Sequence, residues 1–319
     1  MEREIPSSSD MLYDLIIVGA GPAGLSASLT ACYLRLKHIV LEATAAGGAL
    51  MQRYPAKKVD SFLGFKGLTG KEVARRIIEH VKSEGGIIIE GEEVKEIRRD
   101  GENKIFQIVT GKNRYRTKTV LITIGIIGCP RKLCIPGEDT CECVDYCLVN
   151  PEDYRGKEVL VIGGGDSALE AAVMLDEVCK KIYIAHRKDK FRATEKNQER
   201  LEQSGVQVLW NTELKQIFGT KKIEKVCLFN NKTDKENFLE VDNVLIFCGS
   251  ILNVDFLRHL GLEIEKNRLK AKDDMSTELD GLYAAGDITG RLRRIPEAIG
   301  QGHRAVYSIY KYLKKPYWA

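Results

Sequence analysis

The chain has 319 residues, 44% of them hydrophobic and 29% charged, which is typical of a soluble globular protein with enough length for two domains. Its formal net charge of +4 is too small on this length to indicate a nucleic-acid-binding protein. Nine cysteines without paired spacing exclude a disulfide scaffold and favour reduced thiols in a cytoplasmic protein.

The polar start shows no signal peptide, so residues 1–11 are predicted to form a disordered N-terminal tail. The most apolar stretch, 12–34, contains an acid, a proline and three glycines, which excludes a membrane span.

A nucleotide-binding pattern follows this tail. A strand at 15–18 leads into GAGPAG at 19–24 and a helix to about residue 34, and a second strand at 38–41 ends in Glu42. In such a βαβ unit the glycines permit a tight turn, close approach of a pyrophosphate and close packing of the helix on the strand. The acid at the end of the second strand is expected to accept hydrogen bonds from a ribose.

The pattern recurs in the middle of the chain. A strand at 158–162 precedes GGGDSA at 163–168, a helix reaches about residue 178, and the next strand covers 182–185. The sequence therefore predicts a second dinucleotide-binding unit.

The two units differ at one equivalent position. Gly19 and Glu42 are 23 residues apart, and so are Gly163 and His186, so the histidine stands where the first unit has its acid. A basic cluster follows it: Arg187, Lys188 and Arg192. A carboxylate repels a 2′-phosphate and arginines bind one, so the first unit is predicted to hold a free ribose and the second a phosphorylated ribose.

The last third returns to the first unit. An apolar strand at 243–248 is followed by GLYAAGD at 281–287, a strand that ends in an acid, and by a helix at 295–314. We therefore predict an α/β protein with two Rossmann-like, three-layer ββα domains, the second inserted into the first. The predicted boundaries are 12–137 with 250–319 for the first domain and 138–249 for the inserted one.

Read in order, the chain carries GAGPAG (19–24), Glu42, TIGIIGCPRKLCIPGE (123–138), GGGDSA (163–168), HRKDKFRA (186–193) and GLYAAGD (281–287). Together these motifs resemble the low-molecular-weight thioredoxin reductase-like flavoproteins, over nearly the whole chain. The resemblance implies FAD in the first domain, NADPH in the inserted one, and a homodimer.

The resemblance also implies site residues. For FAD they are Gly19, Gly21, Pro22, Ala23, Gly24, Glu42, Gly48, Tyr54, Gly125, Gly286, Asp287, Ile295, Tyr317 and Trp318. For NADP they are Gly163, Gly165, Asp166, Ser167, Ala168, His186, Arg187, Lys188 and Arg192. Lys188 replaces the family's usual second arginine, so NADH is kept as a possible donor.

The cysteines before the second glycine turn raise the question of thiol chemistry. Thioredoxin reductases carry a C-x-x-C pair there, whereas Cys147 is followed three positions later by Asn150. Cys143 and Cys147 remain as candidate redox thiols. A metal site is not predicted, because the spacing of the cysteines matches no zinc or cluster pattern.

A sister branch, the thioredoxin reductase-like ferredoxin–NADP reductases, lacks the thiol pair. GGALMQRYP (47–55) and PEDYRGK (151–157) are similar to its motifs, which implies that Tyr54 stacks on the flavin. A ring in the C-terminal tail covers the other face in that branch, and Tyr317 or Trp318 could serve here. Ser61 stands where an acid is often found near the flavin.

The leading hypothesis is an FAD-dependent oxidoreductase that moves electrons between NADPH and a small carrier such as ferredoxin or flavodoxin. From residue 288 onward seven Lys/Arg accompany one acid, Glu297, which suits an acidic partner. Two alternatives are kept: a reductase of thioredoxin-type disulfides that uses Cys143 and Cys147, and a flavin subunit of a larger redox complex.

Overall fold

The computed structural model describes residues 11–101, 104–126, 129–251, 254–265, 268–290 and 292–318. Residues 1–10 of the predicted tail and the basic residue Arg291 lie outside the described residues. The chain divides into two compact units, Met1–Cys129 with Ile251–Ala319, and Pro130–Ser250. The chain leaves the first unit after Cys129, eight residues before the boundary expected between 137 and 138. It returns after Ser250, one residue after the boundary expected between 249 and 250.

The regular elements of the described residues are numbered in chain order. The strands are β1 Leu12–Val18, β2 His38–Leu41, β3 Ile88–Ile89, β4 Val94–Arg99, β5 Phe106–Thr110, β6 Arg114–Ile122, β7 Cys129–Pro130, β8 Val144–Asp145, β9 Glu158–Ile162, β10 Lys181–His186, β11 Gln207–Trp210, β12 Thr212–Phe218, β13 Lys225–Asn230, β14 Lys235–Leu239, β15 Asn243–Ile246, β16 Ser250–Ile251 and β17 Leu282–Ala284. The α-helices are α1 Pro22–Tyr33, α2 Ala49–Gln52, α3 Gly70–Ser83, α4 Asp166–Asp176, α5 Glu195–Glu202 and α6 Ile295–Lys314. Short 3-10 helices cover Pro151–Tyr154, Asp255–Leu260 and Asp287–Thr289.

A seven-stranded sheet forms the centre of the first unit. Its order is β3-β2-β1-β6-β5-β4, and β17 pairs with the end of β6. β1, β2, β3, β6 and β17 are parallel, and β5 and β4 extend one edge in antiparallel fashion. Leu15 and Ile17 pack on one face of the sheet and Ile16 on the other, all three fully buried. This continuous apolar run is what a parallel strand covered on both faces requires.

The second unit has a five-stranded parallel sheet in the order β11-β10-β9-β15-β8. A three-stranded antiparallel sheet, β12-β13-β14, accompanies it, and β7 pairs with β16 in a separate two-stranded sheet. The chain order reverses on either side of β9, so the glycine turn after β9 lies at the switch point where ligands of open α/β sheets bind.

The two ends of the chain meet in the first unit, where α1 packs against α6. Ser26 Oγ donates a hydrogen bond to the Ile299 carbonyl oxygen at 2.8 Å, although the two residues are 273 positions apart. A Cβ on Gly302 would lie 2.1 Å from the Ala23 carbonyl oxygen, so only glycine permits this approach.

The predicted α/β class with parallel sheets is confirmed. Among the residues that the structure describes, no helix combines the length and apolar character needed to span a bilayer.

Candidate functional site

The first glycine turn is shaped for close backbone approach. Gly19 has a φ of +103°, and a Cβ there would lie 2.8 Å from the Thr123 carbonyl oxygen. A Cβ on Gly24 would lie 1.9 Å from the Gly19 carbonyl oxygen. A Cβ on Gly21, in contrast, would meet only the Cα of Gly48, at 3.9 Å. The turn is therefore closed on its inner side and open above Gly21, as a cradle for a pyrophosphate requires.

The helix that follows the first turn begins without a side-chain cap. Gly21 is the N-cap residue and Pro22 is the first helical residue of α1. A helix start carries unpaired amides and a partial positive charge, which favour an anionic phosphate.

Glu42 closes the first turn at the end of β2. Its buried carboxylate accepts hydrogen bonds from the Ala20 N–H at 2.8 Å and from the Thr44 N–H at 3.1 Å. Thr44 Oγ1 donates a third hydrogen bond at 3.2 Å. A carboxylate has about four acceptor sites, so one site remains for a ribose hydroxyl. Glu42 thus fixes the turn and presents an acceptor in the same place.

The Gly286–Asp287 turn is held by Gln301, which the sequence did not single out. Gln301 Oε1 accepts hydrogen bonds from the Gly286 N–H at 2.7 Å and from Thr289 Oγ1 at 3.1 Å. Its Nε2 donates to Glu297 Oε1 at 2.6 Å. Gln301 is only 4% exposed and lies on the apolar face of α6. A polar residue among the apolar positions of this helix was the sequence signal for its role.

Asp287 lies half-buried at the start of a 3-10 helix. Burial raises the pKa of its carboxyl group, while Arg293 and Arg294 act in the opposite direction. The Asp287 side chain accepts no hydrogen bond from the described residues of the chain. A recessed carboxylate of this kind suits the polar hydroxyl groups of a bound ligand.

The other predicted flavin contacts are spread over the first unit. Gly125 has a φ of +65° in the turn after β6, and Tyr54 follows α2 with Lys57 Nζ 5.6 Å from its ring centroid. Ile295 begins α6 and packs against the cluster that contains Leu50.

The predicted tail contacts lie at the other end of α6, about 30 Å from Ile295 for a 20-residue helix. Trp318 stacks on Tyr310 with ring centroids 6.2 Å apart, and Tyr317 is fully exposed. The tail therefore lies away from Ile295 in the same chain, and the flavin contact of Tyr317 and Trp318 stays a prediction.

The second glycine turn is lined by side chains from the end of β10 and the loop after it. A Cβ on Gly164 would lie 2.2 Å from the His186 ring, and a Cβ on Gly165 would lie 3.1 Å from Arg192 Nε. The Arg192 N–H donates to the Gly164 carbonyl oxygen at 2.9 Å. The loop after β10 therefore folds back over the glycines and sets a guanidinium beside them.

Three cations surround the His186 ring. Burial lowers the pKa of His186, as do Arg187, Arg192 and Lys188, whereas a hydrogen bond to the Lys190 carbonyl oxygen at 3.1 Å raises it. The ring also contacts Phe191, with centroids 5.4 Å apart. Because arginine binds phosphate in bidentate fashion, the cations beside this ring keep the 2′-phosphate contact as a prediction.

Asp166 differs from the other predicted NADP contacts. Its Oδ1 accepts hydrogen bonds from the Thr194 N–H at 2.8 Å, from Thr194 Oγ1 at 2.9 Å and from Asn197 Nδ2 at 2.8 Å. These bonds tie α4 to the start of α5. Ala168 is buried, and Ser167 is partly exposed beside it.

Residues 13–302 match the family model of pyridine nucleotide-disulphide oxidoreductases. The chain belongs to this family. It is thus a flavin-dependent pyridine nucleotide oxidoreductase, and FAD and NADPH are confirmed as the predicted cofactors.

Similar proteins span the whole length of this oxidoreductase. The chain is 33% identical over 306 residues to ferredoxin–NADP reductase of Ignicoccus hospitalis, covering 96% of this chain and 99% of that one. It is 32% identical over 314 residues to thioredoxin reductase of Bacillus subtilis, covering 97% of each. The crystal structure of Lactococcus lactis thioredoxin reductase superposes with a TM-score of 0.89 at 30% identity, over 95% of this chain and all of that one. These comparisons confirm the predicted resemblance.

No disulfide joins any two of the eight cysteines of this oxidoreductase whose side chains the structure describes. Cys143 directly precedes the two-residue strand β8, and Cys147 follows that strand by two positions. Cys143 Sγ donates to the Lys221 carbonyl oxygen at 3.3 Å, and burial raises the pKa of this thiol. Cys143 is therefore poorly ionised, in contrast to a reactive cysteine.

Asn150 has a structural role in this oxidoreductase. Its Oδ1 accepts a hydrogen bond from the Glu152 N–H at 3.3 Å, and its Nδ2 donates to Asp153 Oδ1 at 2.8 Å. The residue caps the 3-10 helix Pro151–Tyr154. Within the described ranges, no group of three or more His, Cys, Asp or Glu side chains is placed to hold a metal ion.

Proposed function

We propose that this oxidoreductase transfers electrons from NADPH to an iron–sulfur carrier of the ferredoxin type. The overall reaction oxidises one NADPH to NADP⁺ and a proton and reduces two carriers by one electron each. FAD, when bound, supplies the step between a two-electron donor and a one-electron acceptor. The protein residues bind, orient and separate the reactants.

FAD is assigned to the first glycine turn. The open space above Gly21 and the uncapped start of α1 receive the pyrophosphate, and Glu42 accepts from a ribose. Asp287, held in place through Gln301, offers a further acceptor. Tyr54 and Ile295 are proposed to contact the ring system.

NADPH is assigned to the second turn. The observation behind this choice is the cluster of Arg187, Lys188 and Arg192 around His186. A 2′-phosphate at this place pairs with guanidinium groups, whereas the Glu42 carboxylate of the first turn would repel it.

We choose a one-electron carrier over a disulfide as the acceptor because of the thiols. Cys143 and Cys147 flank an extended strand, and Asn150 caps a helix where a C-x-x-C pair would have its second sulfur. Reduction of a disulfide by exchange needs two sulfurs that can join and one ionised thiol. These residues do not provide that arrangement, which favours direct transfer to a carrier.

The relatives and the charge of the C-terminal segment support the same acceptor. A second ferredoxin–NADP reductase, from Thermus thermophilus, is 33% identical over 315 residues, covering 92% of each chain. Arg293, Arg294, Arg304, Lys311, Lys314 and Lys315 give the end of this chain a positive charge that attracts acidic carriers. The predicted homodimer and cytoplasmic location belong to this proposal.

Stopped-flow transfer tests the function. The flavin is reduced with NADPH and mixed with oxidised ferredoxin or oxidised thioredoxin, and its absorbance is followed. We expect rapid reoxidation by ferredoxin, equally fast in the Cys143→Ser/Cys147→Ser variant.

The similarity to thioredoxin reductase makes disulfide reduction the second candidate. If thioredoxin reoxidises the flavin and the double serine variant abolishes this, the second candidate replaces the first.

A further inference from the structure

The loop between Val59 and Leu68 is a closed turn on the surface of the first unit. The Val59 N–H donates to the Leu68 carbonyl oxygen at 2.7 Å, and Lys58 bridges to Thr69 just outside this pair. The Phe65 N–H donates to the Phe62 carbonyl oxygen at 3.1 Å. The turn therefore has a defined shape and presents its tip to solvent.

Two aromatic rings anchor this turn and leave an aliphatic side chain outside. Phe62 and Phe65 stack with centroids 4.5 Å apart, and both pack on the buried cluster that Ile295 also contacts. Leu63, between them, is 96% exposed. A structured turn that holds a leucine in water indicates a contact with another molecule.

A second exposed leucine lines a recess beside this turn. Leu292 is 61% exposed and precedes α6. A cavity of about 380 Å³ separates the turn from the start of the helix, and its lining is Ser61, Leu292, Arg294, Pro296 and Glu297. Leu292 thus lines the recess, and Leu63 lies two positions from Ser61, which lines it too. The recess is next to Ile295, a proposed flavin contact.

The surface around the recess is mainly positive. Lys58, Lys66, Arg293 and Arg294 are exposed on the turn and before α6, together with two exposed acids, Asp60 and Glu72. Glu72 is bonded to Thr69 in the capping box of α3. The carboxylate of Glu297 accepts a hydrogen bond from Gln301. Apolar residues in the centre and charges at the rim are the usual arrangement of a protein–protein interface.

We propose that this surface, defined by Leu63, Leu292, Lys58, Lys66 and Arg293, is the docking site of the acidic iron–sulfur carrier. The inference rests on the proposed function, and it adds the place where the carrier binds. Carrier carboxylates pair with the basic rim, and an apolar patch on the carrier covers the two leucines. A carrier bound here lies beside the start of α6, where Ile295 is proposed to contact the flavin ring system, so electrons cross a short distance.

The test uses the full-length, FAD-loaded enzyme with NADPH and a purified [4Fe–4S] ferredoxin. One assay measures ferredoxin reduction through cytochrome c, and a second measures reduction of ferricyanide, a small acceptor that needs no docking site. For Leu63→Ser/Leu292→Ser we expect the KM for ferredoxin to rise at least tenfold, equivalent to about 1.4 kcal/mol, with the ferricyanide rate unchanged. For Lys66→Glu we expect a higher KM and a weaker dependence of the KM on salt.

Two matched variants serve as controls. Ile264→Ser removes another exposed aliphatic residue of the first unit, 43% exposed, and Lys272→Glu reverses another exposed lysine. Neither is expected to change the KM for ferredoxin.

The outcomes separate the two proposals. A wild-type enzyme that reduces ferredoxin, with leucine variants of unchanged KM, overturns the docking site alone. A wild-type enzyme that reduces ferricyanide but not ferredoxin overturns the proposed function itself.

Discussion

In the first glycine turn a buried carboxylate, Glu42, accepts the Ala20 N–H at 2.8 Å, whereas in the second the His186 ring covers Gly164 among three cations. The frames are the same: strand, glycine turn, helix and second strand, with equal spacing. The backbone of such a frame serves any pyrophosphate, and the residue that ends the second strand selects the ribose. One frame can therefore supply both a flavin site and a nicotinamide site after a change at that strand end.

The largest expected effect concerns the last residue of each glycine motif, which is Gly24 in GAGPAG and Ala168 in GGGDSA. The second turn has Ala168 there, but Gly24→Ala in the first would place a Cβ 1.9 Å from a backbone oxygen. We expect the variant to lose most of its FAD and about 3 kcal/mol of unfolding free energy, because backbone rather than a flexible side chain must move. FAD content after gel filtration and thermal unfolding measure this.

Gly300→Ala is the control for that change, since it lies within α6 and its Cβ would have no neighbour within 4 Å. It should keep its FAD and gain up to about 1 kcal/mol from better helix propensity. A Gly24→Ala protein that stays yellow and equally stable would show that the turns tolerate the same residues.

An intermediate effect is expected from the cations of the second turn. Arg187→Ala/Arg192→Ala should raise the KM for NADPH at least about 100-fold, because each of the two charge-assisted hydrogen bonds that are lost contributes about 1.5–3 kcal/mol. The KM for NADH should stay within about twofold, and Lys235→Ala, an exposed lysine of β14, should change neither value. Equal losses with both nucleotides would mean that the cluster does not read the 2′-phosphate.

The smallest effect concerns Asp287 of the FAD unit. Burial raises its pKa in the folded chain, so the native state binds this proton more tightly than the unfolded state. The wild-type carboxyl group therefore contributes stability below the ordinary pKa of aspartate, and the contribution is lost as the pH rises through the folded pKa. In FAD-free protein at pH 7, Asp287→Asn should raise the melting temperature by about 2 °C, a gain that disappears near pH 3.

Thermal unfolding from pH 3 to 8 checks the Asp287 prediction. A gain of the same size at both ends of this range would contradict it, since it would not follow the ionisation of the carboxyl group.

The parts of the fold with local sequence signals were predictable. The pattern at 295–314 gave α6 with the bounds that the structure shows, and the strands at 38–41 and 158–162 also agree. The strand predicted at 243–248 ends at Ile246, and Asp287 begins a 3-10 helix instead of ending β17, because glycines 249 and 286 take positive φ values near these ends. Glycine-rich ends of strands leave the last paired residue undetermined.

The site was less predictable where contacts between residues far apart in the sequence determine the role of a side chain. Asp166 was assigned to the nucleotide from its place in the turn, but its carboxylate bonds to Thr194 and Asn197, about thirty positions away. Gln301 was missed because its partner Gly286 is recognised only when α6 packs against the turn. The antiparallel sheet of β12, β13 and β14 likewise carries no nucleotide-binding signature.

The contact of α1 with α6 has a consequence for synthesis on the ribosome. Ser26 of α1 and the Gly286 turn both form hydrogen bonds with residues of α6, Ile299 and Gln301. These bonds can form only after α6 has left the ribosome. The unit Pro130–Ser250, in contrast, has all its strands before that point and can fold while translation continues. The proposed flavin site therefore matures after that unit, and a premature stop before α6 would leave the unit Pro130–Ser250 intact but the first glycine turn without its partners on α6.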